Sequence, residues 1–110
     1  MCGGRYGLSM RYNIRYLPLA EEDISALAAY LLRFYPGTAA RVLGEIEKQI
    51  ASLQEHPRMC EEYSDDPFYR RMVVAEYLVF YHVNEKTKTV DIHRVLRGSW
   101  NIEAHLPPPR

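Results

Sequence analysis

The spacing of apolar residues changes twice along this chain, and that change restricts it to an α+β fold. In residues 10–17, Met10, Tyr12, Ile14 and Tyr16 alternate with Arg11, Asn13 and Arg15. A period of two is the mark of a strand with one wet face. Pro18 closes the alternation. Ile24, Leu27, Ala28, Leu31 and Leu32 then recur at helical spacing, with Glu21, Glu22 and Asp23 ahead of them. Acidic side chains suit a helix N-terminus, where the macrodipole is positive, so the pattern predicts a helix over 20–34. Pro36-Gly37 breaks it. Ala39, Val42, Leu43, Ile46, Ile50 and Leu53 carry a second apolar stripe, opposite Glu45, Glu47, Lys48 and Gln49. So short a joint favours an antiparallel helical hairpin. Gly44 inside the second helix is costly relative to Ala, and a close helix–helix crossing would account for it.

His56-Pro57 ends the helical pattern, and residues 56–68 read as a polar loop rich in acids. The period then returns to that of strands. Segments 69–75, 77–84 and 89–96 are rich in β-branched and aromatic residues. Glu76 alone divides the first two, and the polar run 84–88 is a hairpin turn. The predicted order is β-α-α-β-β-β, an antiparallel sheet with a helical hairpin packed on one face. The other sheet face is left open for function. Residues 1–9 read as a disordered lead-in, which makes Met10 a second candidate start. Residues 10–106 form a single domain, with a short helix over 99–106 and a proline-rich tail over 107–110.

Composition narrows the function classes. The chain has 110 residues, 47% apolar and 25% charged, which suits one globular domain. Its apolar runs are too short to span a bilayer, and residues 1–9 lack the apolar core of a secretory signal. A cytoplasmic, non-membrane protein is expected. Cys2 and Cys60 are too few for a zinc site and read as incidental thiols. Nothing resembles a P-loop, a dinucleotide fingerprint, a serine triad or a metal box, so neither cofactor nor metal is expected. The net charge is zero but unevenly spread. Residues 10–66 carry six basic and ten acidic side chains, whereas residues 67–100 carry six basic and three acidic. A modestly basic second half can attract an anionic partner.

Two strand sequences carry a family likeness. The run Tyr69-Arg-Arg-Met-Val-Val-Ala-Glu-Tyr-Leu-Val-Phe-Tyr-His-Val83, followed by Val90-Asp-Ile-His-Arg-Val-Leu-Arg-Gly98, resembles the RelE/ParE toxin superfamily over about residues 10–105. The resemblance implies the toxin half of a type II toxin–antitoxin pair, with a cognate antitoxin as partner. It also implies either a homodimer or a toxin–antitoxin hetero-oligomer. RelE-like members cleave messenger RNA on the ribosome without metal, and ParE-like members poison DNA gyrase.

Metal-free RNA cleavage needs a base, a cation for the phosphorane and an acid for the leaving oxygen. RelE-like nucleases commonly place an arginine after the central strand's tyrosine and more arginines after the last strand's glycine. Here Leu78, Ser99 and Trp100 hold those positions. Strand parity puts Ile92, Arg94 and Leu96 on one face and His93, Val95 and Arg97 on the other. His93, Arg97 and His105 therefore form the one catalytic constellation the sequence offers, against a plain reading of His93 as a solvated strand residue and Arg97 as an antitoxin-pairing charge. Arg70 and Arg71 should point to opposite faces, one towards a partner and the other either a solvated edge charge or paired with the Glu61-Glu62 loop. With Arg94, Arg97 and Trp100 they are the candidate antitoxin- or target-binding residues. Trp100 reads either as packing for the C-terminal turn or as an interface anchor. His82 reads as a hydrogen-bonded sheet residue, and Glu76 as a solvated turn carboxylate. Three functions remain open: a ParE-like inhibitor of a target such as gyrase, a RelE-like endoribonuclease, and an inactive antitoxin-binding module. The thinned nuclease set favours the first.

Overall fold

A computed structural model describes residues 11–98. The lead-in at 1–9, the short helix at 99–106 and the tail at 107–110 fall outside the described residues, as do Trp100 and His105. The elements run β1 (Asn13–Tyr16), α1 (Pro18–Phe34), α2 (Pro36–Ser52), β2 (Arg70–Val74), β3 (Tyr77–Asn84) and β4 (Thr89–Arg97). Among the described residues no helix is long and apolar enough to cross a membrane.

Prolines set both helix starts. Pro18 opens α1 instead of merely ending β1, and Pro36 opens α2. Proline fits the first helical turn because its missing N–H has no intrahelical acceptor there. Tyr35 is at once the C-cap of α1 and the N-cap of α2, which folds the helices into a hairpin. Gly44 is not explained by a crossing, since a Cβ added there would meet nothing within 4 Å.

The sheet order is β1-β4-β3-β2. The last three strands form the expected antiparallel meander, but β1 lies parallel to β4, so the sheet is mixed. The helical hairpin explains the direction. Asp23, early in α1, reaches Val95, and Tyr30, further along, reaches Arg97, so α1 continues in the direction of β4. The chain then returns along α2 until the Tyr12 N–H meets the Gln54 carbonyl at 2.9 Å. Beginning again from the starting end, β2 runs the same way as β1, and two reversals give β4 that direction too. The β2–β3 joint is a two-residue turn in which Ala75 takes a left-handed φ of 55°.

One sheet face and the helices share the main core. Val79, Tyr81, Val90 and Ile92 are fully buried against Ile46, Ile50 and Leu53, with Ile14, Ile24 and Leu27 at its margin. Leu31 is buried, whereas Leu32 falls off the stripe into solvent. The opposite face is not open along its length. The loop between α2 and β2 lays Tyr63, Phe68 and Tyr69 over Phe80, Leu96 and Leu78 as a second cluster.

β1 pairs with β4 only as far as Ile92. Beyond it α1 finishes the strand edge. The Leu17 N–H donates to the Ile92 carbonyl at 3.0 Å. Asp23 accepts Nε and Nη2 of Arg94 at 2.7 and 2.8 Å, and the Val95 N–H at 2.9 Å. Both side chains are largely buried, at 12% and 14% exposure.

Removing Asp23 takes the bidentate carboxylate from Arg94 and the acceptor from the Val95 N–H, and breaking a largely buried pair is costly. Asp23→Ala is therefore expected to lower the unfolding free energy by about 3–5 kcal/mol in urea titrations. A loss below about 1 kcal/mol, the range of surface pairs, would show that the clamp is solvated. Gly44→Ala, in open space on a helix, is expected to raise stability by about 0.5–1 kcal/mol; a lower urea midpoint would contradict this.

Candidate functional site

The C-terminal end of β4 meets the helical hairpin at Arg97. Its partner in register is Tyr77, on the helix-facing side of the sheet. The guanidinium lies 5.7 Å from the Tyr30 ring, and its Nη2 is 3.3 Å from Glu76. The Tyr30 hydroxyl, followed by the Glu76 charge, holds the Arg97 pKa above its ordinary value. Burial raises that of the Tyr77 phenol. Both stay in their usual protonation states, so neither is prepared for proton transfer.

Arg97, Tyr30 and Tyr77 line two adjoining clefts. One, of ≈ 310 Å³, runs between α1 and β4 over Ala26, Leu27 and Val95. The other, of ≈ 340 Å³, runs under the α1–α2 joint past Tyr35, Arg41 and Val42. Their outer lip is aromatic: Phe34 and Tyr35 are more than half exposed, with ring centroids 5.1 and 6.0 Å from that of Tyr30. A contiguous exposed apolar surface rimmed by Arg33, Arg41 and Arg97 is the composition of a protein-binding surface, where aromatics and arginine serve as anchors. Sequence reasoning selected Arg97 but missed Tyr30, Phe34 and Tyr35. The available signal was the i, i+4 pair of Tyr30 and Phe34, set apart from the Ile24, Leu27 and Leu31 stripe.

The proposed constellation of His93 with Arg97 is not assembled. Register shifts between Phe80 and Tyr81: Phe80 faces Arg94, and Tyr81 faces Ile92. His93 is the additional residue of a β-bulge, and a bulge reverses the alternation beyond it. Val95 and Arg97 consequently lie on the helix side with Ile92, whereas His93 lies on the other. There it meets Tyr69 and Phe68 edge-on, with centroids 5.1 and 5.8 Å away. It is thus a half-buried packing residue and not a solvated one. Burial, as the leading cause, lowers its pKa and keeps the ring neutral.

The other cations are also dispersed. Arg94 belongs to the Asp23 clamp. Arg70 and Arg71 do point to opposite faces. Arg70 donates to the Cys60 carbonyl at 2.7 Å and lies 3.8 Å from Glu62, while Arg71 sits over the Tyr63 ring at 5.5 Å. His82 is hydrogen-bonded within the sheet layer, with Nδ1 3.0 Å from the Phe68 carbonyl. Near the β2–β3 turn the sheet face opposite the helices carries Val73, Leu78 and Leu96. Among the described residues no three His, Cys, Asp or Glu side chains converge as metal ligands.

A two-helix hairpin on a four-stranded mixed sheet, with an aromatic groove at its upper end, defines the class of small RelE/ParE-like α+β proteins. The family profile described as "ParE toxin of type II toxin-antitoxin system, parDE" matches residues 14–101, and the chain belongs to that family. Solved structures agree on the fold. A chain of the chromosomal ParDE toxin–antitoxin system from P. aeruginosa superposes with a TM-score of 0.69 at 18% identity, covering 80% of this chain and 97% of that one. A mutant of E. coli toxin RelE in the free state gives 0.67 at 15% identity, covering 88% and 94%. The toxin–antitoxin complex RelBE2 from Mycobacterium tuberculosis gives 0.56 at 20% identity, covering 79% and 98%. A search of curated protein sequences found no significant match.

The lowered pKa of His93 has a consequence for stability. The unfolded chain takes up this proton more readily than the folded one, so the packing contribution is complete above about pH 6.5 and declines as pH falls below it. His93→Phe, which keeps a ring but cannot titrate, is expected to flatten the fall in urea midpoint between pH 8 and 5.5. An unchanged slope would place the acid sensitivity elsewhere.

Proposed function

We propose that this toxin acts by binding and not by cutting, that its target is DNA gyrase, and that a cognate antitoxin neutralises it by occupying the Tyr30–Arg97 groove. The observation that carries the reading is the dispersal of the acid, base and phosphate-binding groups among the described residues. His93 is turned into an aromatic cluster, Arg97 lies on the other face, and apolar Leu78 and Leu96 lie side by side on the sheet. A nuclease needs those groups within hydrogen-bond reach of one scissile phosphate. Binding instead needs a large, rigid, partly apolar surface, which the groove and its aromatic lip supply. The ParDE and RelBE2 relatives are described as toxin–antitoxin systems or complexes, which supports an antitoxin as the partner.

Expression without an antitoxin is expected to leave transcripts intact while DNA breaks accumulate, and the purified protein should inhibit supercoiling by gyrase. Ribosome-dependent cleavage by the wild-type protein would overturn the proposal. In that case Arg97→Ala should lower the cleavage rate by about 10²–10³. For the antitoxin, Tyr30→Ala and Arg97→Ala are each expected to raise Kd by about tenfold or more, a cost of roughly 1.4 kcal/mol or greater. Unchanged dissociation constants in both variants, and in Trp100→Ala, would move the antitoxin to another surface.

A further inference from the structure

α1 leaves apolar surface in solvent that neither the sheet nor α2 covers. Seven large hydrophobic side chains are exposed among the described residues, and five of them, Leu19, Tyr30, Leu32, Phe34 and Tyr35, belong to α1 or to the cap that ends it. The groove accounts for only part of this surface. Tyr30 and Tyr35 line its clefts and Phe34 forms its lip, but Leu19 and Leu32 line neither cleft. Leu32 is the most exposed of the five, at 62%. Apolar side chains gathered on one exposed side mark a contact with another protein. We propose that the occupant is a second copy of this chain, with α1 of each copy packed antiparallel against α1 of the other.

The charges on that side select the partner and its direction. Glu22, Ala26, Ala29 and Arg33 follow one another at i, i+4, i+7 and i+11, so they form a single row down the outer face, and all four are exposed. The carboxylate stands near the N-terminal end of the row and the guanidinium at the C-terminal end. No residue of opposite charge stands three or four positions from either, so neither is matched within its own helix. Arg33 lies beside the Phe34 ring, at 5.4 Å. Glu22 adds only a secondary attraction to Arg94, whose bidentate partner is Asp23.

Turning a second copy end for end reproduces the row in reverse. With Glu22 set beside Arg33 of the second copy, Ala26 falls beside its Ala29, and the two-fold axis repeats both contacts. Two ion pairs thus close the ends of a seam whose centre holds only methyl groups, which lets the backbones approach. Leu32 comes alongside Ser25 of the second copy on one flank, and Leu19 comes towards its Phe34 on the other. A parallel copy would instead set Glu22 beside Glu22 and Arg33 beside Arg33, which repel.

One helix per chain gives an interface at the small end of the specific range, so dissociation at micromolar concentration is expected. Tyr30 and Phe34 border both this face and the groove. A protein seated in the groove and a second copy would therefore exclude each other, and this consequence alone rests on the antitoxin site proposed above.

Sedimentation equilibrium of the purified full chain tests the pairing with neither antitoxin nor gyrase present. A monomer–dimer equilibrium that weakens as salt rises is expected. Glu22→Arg and Arg33→Glu should each weaken dimerisation by about tenfold or more, because each reverses two pairs at once. Mixing these two variants should restore dimers to within about threefold of the wild-type constant, since every charge then meets its opposite across the seam. Recovery on mixing also shows that both variants are folded. Leu32→Ser should weaken association by about fivefold or more. Lys48→Glu, on the exposed side of α2, should leave it unchanged. A chain that stays monomeric up to ~1 mM, wild-type dimerisation in Glu22→Arg, or no recovery on mixing would overturn the proposal.

Discussion

The architecture depends on how the open edge of β4 is completed. β1 is too short to accompany β4 past Ile92, and an unpaired strand edge in a half-buried position leaves amides without partners. Asp23 resolves this from α1 by accepting the Val95 N–H and the Arg94 guanidinium together. One carboxylate therefore replaces a strand, neutralises a largely buried arginine and fixes α1 against the sheet. The groove under Tyr30 exists because α1 is held at that point and in that direction.

The bulge at His93 has the second widest reach. One additional residue in β4 turns Val95 and Arg97 to the helix side and leaves His93 and Leu96 on the other. That single insertion separates the two groups a nuclease would need together. It also delivers Arg97 to the groove, where its cation meets Tyr30 and Glu76. A local backbone irregularity thus bears directly on which activity the surface can support.

The two ends of the sheet consequently differ in chemistry. The end with the α1–α2 joint is aromatic and apolar, with arginines at its rim. The end with the β3–β4 turn is held by ions: Lys88, Arg58 and the Tyr12 hydroxyl pull the Glu85 carboxyl down to about 2. The α2–β2 loop links this end to the sheet face it covers. The Tyr81 hydroxyl anchors it by donating to the Pro57 carbonyl, and burial pushes that phenol up.

The sequence by itself determined the elements, their order and most of the core, because hydrophobic period is a local property. Ile24, Leu27 and Leu31 on α1 and Ile46 and Ile50 on α2 face the sheet as their spacing requires, and the strand residues around Val79 and Ile92 meet them. The opposite orientations of Arg70 and Arg71 were legible for the same reason. Only the tertiary structure decided the direction of β1, since a strand's own residues do not state which neighbour it will join. It also decided that Asp23 would serve Val95 and Arg94, 71 residues or more away, and not simply its own helix dipole. The bulge was equally hidden: His93 has an ordinary strand residue on each side, and the register shift arises from pairing with Phe80 and Tyr81. Alternation was read correctly up to His93 and inverted after it, because parity is counted along one strand while register belongs to two.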